Sequence, residues 1–317
     1  MEDKDKYSCT SNTAKLLKHL DRLKNLQNGF VMPIMLHVIP THRCQLNCVH
    51  CCFKNRKDRN ADMPLNVFIK AISRFFTLST MAIEFTGGGD PTLWPYINEA
   101  MAICHSLDMK MGLITNGLAL DKIKYKNWFD WVRVSLNTLD YRDTIDLRDL
   151  VQVTRVSFCY IWNDNAPDNF DKVIEFSNKH EIVCRVAPDC IQSLDKIQLE
   201  INHIQSVLSK YKSNNYVFLS DFNIDLHRKS NNCRIHMIKP CLYLDGWVYA
   251  CPSAELAMEN NKQIQHKTRI CYVDDVVDFY LEKGLTAFKF DCSYCKYVQQ
   301  QELLEAVLME TEFNDFC

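Results

Sequence analysis

The chain has 317 residues, 47% of them hydrophobic, and a formal net charge of −2, which excludes an intrinsically disordered chain and allows one large domain with a small appendage. Its 37 basic and 39 acidic residues are interspersed, so composition gives no general reason to expect nucleic acid or an anionic membrane as a partner. No segment approaches the ~20 apolar residues of a membrane span and the first residues lack a signal-peptide core, so we expect a cytoplasmic protein.

A short helix is predicted at the start of the chain, because leucines recur at helical spacing between residues 12 and 28. Six apolar runs follow, which we interpret as strands at residues 34–39, 81–85, 109–114, 131–136, 153–161 and 182–186. Amphipathic segments between and after these runs predict helices centred near Ile72, Ala100, Ile123, Leu147, Ile174 and Ile204. Strands that alternate with helices favour a parallel sheet with right-handed crossovers.

A second region begins in a polar segment near residue 212. It contains a strand-like run at residues 216–219, a hairpin turn at Asp245-Gly246 and a polar helix from Lys296. The sequence therefore predicts three segments: a helical lead-in over residues 1–32, an α/β domain over residues 33–212 and a small α+β extension over residues 213–317.

Cysteine is unusually frequent, at 16 residues, and without an export signal this favours metal or redox chemistry over disulfides. Cys44, Cys48 and Cys51 follow the first predicted strand with the spacing C-x3-C-x2-C. Three thiolates on one short loop can ligate three irons of a 4Fe-4S cluster and leave the fourth iron open to a substrate or cofactor. The same spacing also arises by chance in a cysteine-rich chain, so the neighbouring motifs must decide.

A glycine-rich segment, FTGGGDPT, follows the second predicted strand. Gly87, Gly88 and Gly89 allow the backbone to approach a ligand closely, and Pro91 fixes the turn. The carboxyl ends of successive parallel strands lie on one rim, where α/β folds bind their ligands. We therefore expect the cysteine loop and the glycine segment to share one site.

These motifs, in this order, resemble those of the radical S-adenosylmethionine (AdoMet) superfamily. The resemblance continues through the ITNG and VSLNT segments after strands three and four, and it covers roughly residues 33–190. It implies a partial (β/α)6 TIM-like barrel, bound AdoMet, and a 4Fe-4S cluster held by Cys44, Cys48 and Cys51. A flavodoxin or ferredoxin is the expected type of electron donor.

The resemblance also implies which side chains contact AdoMet. Asp90 stands where the family usually has Glu, one methylene longer, which puts a direct contact of its carboxylate in doubt. A solvent-facing position is the alternative for His50, and an ordinary salt bridge is the alternative for Arg185. The expected contacts are Gly88, Gly89 and Asp90 at the methionyl amino group, His50 at the adenine, and Ser135 and Asn137 at the ribose or carboxylate. Gly87 and Arg185 complete the expected AdoMet-binding set.

A second cysteine set lies in the extension and comprises Cys233, Cys251, Cys292 and Cys295. The predicted hairpin brings its flanking strands together, and four thiolates can enclose a metal completely. Zinc uses the same ligands, so a structural zinc site stays open, as does Cys241 in place of Cys233. The spacing is similar to that of Twitch and SPASM extensions in the superfamily, and this resemblance implies an auxiliary 4Fe-4S cluster.

The resemblance implies that an electron from the reduced cluster splits AdoMet, and that the resulting 5′-deoxyadenosyl radical takes a hydrogen atom from substrate. An auxiliary cluster would accept a further electron, which favours two-electron oxidation of a small molecule. We expect Asp189 as the base and Cys190 as a hydrogen-atom donor, with simple packing as the alternative for Cys190. The other hypotheses are a maturase that crosslinks or epimerises a ribosomal peptide, a nucleotide- or nucleic-acid-modifying enzyme with a basic loop at residues 54–59, and a zinc-stabilised non-enzyme.

Overall fold

The computed structural model describes residues 13–211, 214–220, 232–252, 268–290, 295 and 297–309. A 3-10 helix over Thr13–His19 leads into the first α-helix. The α-helices of this part of the chain are α1 (Leu20–Gln27), α2 (Leu65–Thr77), α3 (Ile97–Ser106), α4 (Arg148–Val151), α5 (Ala166–His180), α6 (Leu194–Leu208), α7 (Val276–Lys283) and α8 (Val298–Leu308). Among these described helices, none is long and apolar enough to cross a membrane.

Ten strands in the described residues form one sheet, in the order β10-β9-β8-β1-β2-β3-β4-β5-β6-β7. They are β1 (Met35–Ile39), β2 (Ala82–Phe85), β3 (Lys110–Thr115), β4 (Trp131–Ser135), β5 (Arg155–Ile161), β6 (Cys184–Ala187), β7 (Val217–Leu219), β8 (Cys241–Tyr243), β9 (Trp247–Tyr249) and β10 (Arg269–Tyr272). From β8 through β1 to β7 all neighbours run parallel, whereas the β8–β9 and β9–β10 pairs are antiparallel. This large, mostly parallel sheet confirms the predicted α/β class and is consistent with a partial TIM-like barrel.

The two faces of the sheet carry different chemistry, because successive strand residues point to opposite sides. Val38 of β1 is fully buried in the main hydrophobic core. Its neighbour His37 faces the other side, with Nδ1 2.8 Å from Oε1 of Glu84 on β2. Burial alone would raise the pKa of this carboxyl, but Lys239, His37 and Arg133 together lower that pKa well below its usual range. The face opposite the core therefore carries paired charges.

Two of the predicted helices differ from the structure. The α-helix predicted near Ile123 is wrong, and the structure has 3-10 turns there, at Leu120–Lys122 and Lys126–Trp128. Asn98 on α3 holds this connection: its Nδ2 donates to the Lys122 carbonyl (2.9 Å) and its Oδ1 accepts from the Lys124 N–H (2.9 Å). These bonds occupy backbone groups that an α-helix would pair internally. Near Leu147 the helix is reduced to the single turn of α4.

The last strands of the chain continue the barrel sheet. β8 pairs in parallel with β1 and places Cys241 opposite His37. The hairpin predicted at Asp245-Gly246 is confirmed, because β8 and β9 pair antiparallel across it and Gly246 has φ +80°. The strand-like run predicted at residues 216–219 forms β7, which pairs in parallel with β6. The division into three segments stays a prediction.

Candidate functional site

The cysteine loop is an excursion between β1 and α2 that is closed at its base. The Met63 N–H donates to the Pro40 carbonyl at 2.7 Å, which joins the two ends of the loop. Asp62 adds side-chain bonds beside this junction, accepting from Thr41 Oγ1 (2.6 Å) and from Arg43 Nε (2.8 Å). The loop is therefore anchored directly at the carboxyl end of β1.

The three thiols of the loop interact electrostatically. Cys44, Cys48 and Cys51 are free cysteines, each half-buried. Burial and the neighbouring thiols raise the pKa of Cys48 to about 12. Burial raises the pKa of Cys44 as well, with contributions from Asp90 and Cys51. Since metal ions bind thiolates, a bound cation would supply the positive charge that deprotonates such a set.

Nitrogen donors reach two of these sulfurs. Asn116, in the loop after β3, has Nδ2 3.6 Å from Cys44 Sγ. Arg56 has Nη1 3.9 Å from Cys51 Sγ. The ITNG segment carries part of the resemblance, but the sequence alone gives Asn116 no role. Arg56 is only one charge of a basic run in the sequence.

The basic run at residues 54–59 does not form one surface patch. Arg56 is only 6% exposed, and it donates from Nε to the His42 carbonyl (3.0 Å) and from Nη1 to the Phe53 carbonyl (2.8 Å). Arg59, in contrast, is exposed and bonds to the Asn47 side chain. Because Arg56 is buried, its charge does not belong to an exposed basic surface, which weakens the hypothesis of a nucleic-acid site at this loop.

The glycine segment packs directly against the cysteine loop. Gly88 has φ +71°, and a Cβ there would lie 2.4 Å from the Thr41 carbonyl oxygen. A Cβ on Gly89 would lie 2.1 Å from the Arg43 carbonyl oxygen, and the Gly89 N–H donates to the Thr41 carbonyl at 2.7 Å. Gly87 also has a positive φ, +59°. Glycine is therefore required for contact between the two segments, and the predicted AdoMet contact remains a prediction.

Asp90 is buried, and its carboxylate is committed to protein donors. Oδ1 accepts from the Thr92 N–H (3.0 Å) and hydroxyl (2.6 Å). Oδ2 accepts from the Thr115 hydroxyl (2.9 Å) and the Asn116 N–H (2.6 Å). The carboxylate thus joins the ends of β2 and β3, which supports a positioning role for this side chain.

Asn137 and Ser135, both expected near AdoMet, lie at the end of β4. Asn137 is 1% exposed, and its amide pairs with the Ile161 backbone by accepting from its N–H and donating to its carbonyl, both at 2.8 Å. Ser135 is half-buried, and it lies in register with Cys159 on β5, which is in register with Arg185 on β6. Ser135, Cys159 and Arg185 therefore form a row across three strands on one face of the sheet.

The expected residues of the far rim also converge. His50 is half-buried, and its Nδ1 has no hydrogen-bond partner in the described residues. Burial lowers the pKa of His50, while Asp189 and Asp140 oppose that shift. Asp189 is 3% exposed and accepts from the Gln192 side chain at 2.9 Å, and Cys190, next in the chain, is half-buried. The structure thus brings His50 and Asp189 into one electrostatic environment.

The second cysteine set lies partly outside the described residues, because Cys292 falls there. Cys233, Cys251 and Cys295 are each half-buried, whereas the alternative ligand Cys241 is fully buried on β8. In the described part of the chain, no three His, Cys, Asp or Glu side chains converge as ligands of one ion do. The auxiliary cluster and the zinc alternative both remain predictions.

The residues of the cysteine loop fit a 4Fe-4S cluster with an open iron. Its three thiols are free and half-buried, and nitrogen donors face the sulfurs of Cys44 and Cys51. Thiolates that bind different irons of one cluster need not converge as the ligands of a single ion do. The orphaned Nδ1 of His50 offers a polar contact on the same loop.

Part of the chain is similar to known proteins. Residues 38–176 match the radical SAM superfamily. The chain is 28% identical over 95 residues to the antilisterial bacteriocin subtilosin biosynthesis protein AlbA of Bacillus subtilis (strain 168), over 30% of this chain and 21% of that protein. It is also 28% identical over 93 residues to the PqqA peptide cyclase of Gluconobacter oxydans (strain 621H), over 29% of this chain and 26% of the cyclase. The chain thus spans only about a quarter of the length of these curated relatives.

Solved structures agree at the level of the fold. Streptococcus suis SuiB bound to the precursor peptide SuiA has a TM-score of 0.58 at 17% identity, over 86% of this chain and 70% of that chain. Native anSMEcpe with bound AdoMet and Cp18Cys peptide has a TM-score of 0.54 at 14% identity, over 90% of this chain and 86% of that chain.

The fold and the cysteine loop together define a partial α/β barrel with a three-thiol site on its rim. The match of residues 38–176 to the radical SAM superfamily supports this part of the resemblance. The Twitch or SPASM character of the extension remains a prediction.

Proposed function

We propose that this protein is a radical AdoMet enzyme, which cleaves AdoMet reductively at a 4Fe-4S cluster held by Cys44, Cys48 and Cys51 and then abstracts a hydrogen atom from its substrate. The observation that best supports this proposal is the closed loop of three free, half-buried thiols, which packs against the glycine segment at the ends of β1 and β2. This is the rim on which parallel α/β folds place their chemistry.

The residues of the chain would hold and orient both cofactors. When bound and reduced, the cluster supplies the electron that breaks the sulfonium bond of AdoMet and generates the 5′-deoxyadenosyl radical. The backbone of Gly88 and Gly89 shapes the binding surface beside the cysteine loop. His50 has a ring nitrogen without a hydrogen-bond partner in the described residues. The row of Ser135, Cys159 and Arg185 lies across the neighbouring strands β4, β5 and β6.

For the substrate we favour a peptide, which is modified as in a maturase. The curated relatives include a bacteriocin biosynthesis protein and a peptide cyclase, and the fold resembles SuiB bound to a precursor peptide. Two-electron oxidation of a small molecule is the alternative, with Asp189 as base and an auxiliary cluster in the extension. Its support is weaker, because the Asp189 carboxylate already accepts from Gln192.

The test is formation of 5′-deoxyadenosine. The protein is purified without oxygen, its iron and zinc are counted, and AdoMet is assayed after reduction with dithionite. We expect about four irons per chain for each cluster that is bound. We also expect formation of 5′-deoxyadenosine, which Cys48→Ala should abolish. Cys104→Ala, which alters a buried cysteine of α3, is the matched control and should retain both. Zinc in place of iron, with intact AdoMet, would overturn the proposal.

The same assay separates the two substrate classes. Size-fractionated extract from producing cells is added to the reduced enzyme, with and without prior protease treatment of the extract. A peptide substrate predicts that the larger fraction accelerates nucleoside formation and that protease abolishes the effect. Acceleration by the small-molecule fraction that resists protease would contradict a peptide substrate and support the oxidation.

A further inference from the structure

Two side chains outside the C-x3-C-x2-C motif point nitrogen donors at its sulfurs. Asn116 approaches Cys44 from the loop after β3, 72 positions along the chain. Arg56, five positions after Cys51 in the cysteine loop, approaches the Cys51 sulfur. Donors to ligand sulfurs change the electronic properties of a metal cluster, because they stabilise negative charge on the thiolates.

Asn116 is held in place by several bonds. Its backbone N–H donates to Asp90 at 2.6 Å, and its side-chain Oδ1 accepts from the Leu118 N–H at 2.9 Å. The Thr138 hydroxyl donates to its backbone carbonyl at 2.7 Å. Its Nδ2, which faces Cys44, also donates to Gln45 Oε1 at 3.0 Å. The direction of the amide toward the thiol is therefore fixed by the fold.

Arg56 is a buried cation whose polar contacts are neutral. Its guanidinium bonds to the carbonyls of His42 and Phe53 and reaches the Cys51 thiol. Within the described residues it forms no ion pair with a carboxylate. Buried charges in proteins are usually paired, and a cluster with three thiolates is the anion that this position lacks.

We propose that Arg56 and Asn116 set the reduction potential of the cluster on Cys44, Cys48 and Cys51, an inference that rests on the proposed function. Reduction adds one electron and neither makes nor breaks a covalent bond. The reduced cluster is more negative, so both donors favour it and raise the potential. A full charge in a low-dielectric environment has a larger effect than an amide dipole, so Arg56 contributes more. Asp90 is a positioning residue for Asn116.

The test is an anaerobic titration of the iron-loaded full chain with dithionite and redox mediators. The EPR signal of the reduced cluster is recorded at each potential and gives the midpoint potential. The signal is assigned to the cysteine loop by its loss in Cys48→Ala. For Arg56→Gln we expect the equilibrium constant for reduction to fall at least tenfold, which for one electron is 59 mV. Asn116→Ala should shift the midpoint in the same direction by less. Arg59→Gln removes an exposed charge from the same loop and should leave the midpoint unchanged.

Unchanged midpoints in both variants, at normal iron content, would overturn this inference and leave the proposed function intact. If the wild-type protein binds no cluster, the proposed function itself fails. If Arg56→Gln does not retain iron, Asn116→Ala decides, because it removes no buried charge. An equal shift in Arg59→Gln would also contradict the inference, since it would show an effect of overall charge.

Discussion

At the scale of single residues, the contact between the glycine segment and the cysteine loop leaves no room for a side chain. The Cβ of an alanine at Gly89 would meet the Arg43 carbonyl oxygen at 2.1 Å, and the backbone would have to move. Since Arg43 precedes Cys44, we expect Gly89→Ala to lower iron content and melting temperature together. The control is Gly29→Ala, where a Cβ meets nothing within 4 Å and only a positive φ of +87° opposes it. It should cost about 1 kcal/mol and retain iron. Normal iron content in Gly89→Ala would contradict this account.

The site residues that could be predicted from the sequence are those that directly follow a predicted strand. Cys44, Cys48 and Cys51 follow a strand end directly, and the glycines follow the next one, so their proximity could be predicted. The direction of the Asn116 amide could not, because it depends on Asp90, 26 positions earlier. Arg56 reads as a surface charge in the sequence, since burial of a charge is decided by tertiary packing.

At the scale of elements, β8 and the cysteine loop are joined by a buried hydrogen bond. His42 Nδ1 faces the Asp58 carbonyl at 2.9 Å, so Nδ1 carries the proton of the neutral ring. Its Nε2 then accepts from the Tyr243 hydroxyl at 2.5 Å. The Tyr243 ring also stacks on Phe53, with centroids 6.4 Å apart. β8 is thereby fixed to the loop that carries the thiols.

We expect Tyr243→Phe to lower the free energy of unfolding by about 1–3 kcal/mol, because it leaves a buried ring nitrogen without its donor. Urea denaturation measures this change. Tyr125→Phe removes the hydroxyl of an exposed tyrosine and should lie within about 0.5 kcal/mol of the wild type. Equal stability of the Tyr243 and Tyr125 variants would show that the contact between β8 and the loop contributes nothing.

The strands and most helices of the barrel could be predicted because their apolar residues repeat with the period of each element. In α2, for example, Phe68, Ala71, Ile72 and Phe75 form one buried stripe. The parallel pairing of β8 with β1 could not be predicted, because it joins segments about two hundred residues apart and has no local signal. The helix prediction near Ile123 was wrong for a related reason, because the Asn98 side chain of α3 determines the conformation of that connection.

At the scale of the whole molecule, the sheet from β10 to β7 is continuous through the described residues. The three-thiol loop leaves the sheet next to the point where β8 joins β1. One sheet therefore holds both the strand that leads into the cysteine loop and the strands near the end of the described chain.

The central claim is that the cysteine loop holds a cluster with one iron open to AdoMet. Its most direct test is addition of AdoMet to the anaerobically reduced protein while the EPR spectrum of the cluster is recorded. The account predicts that AdoMet changes the spectrum of the signal that Cys48→Ala abolishes, because the methionyl group binds the open iron. A spectrum that is unaffected by saturating AdoMet would contradict it, since the cluster would then have no open iron for AdoMet.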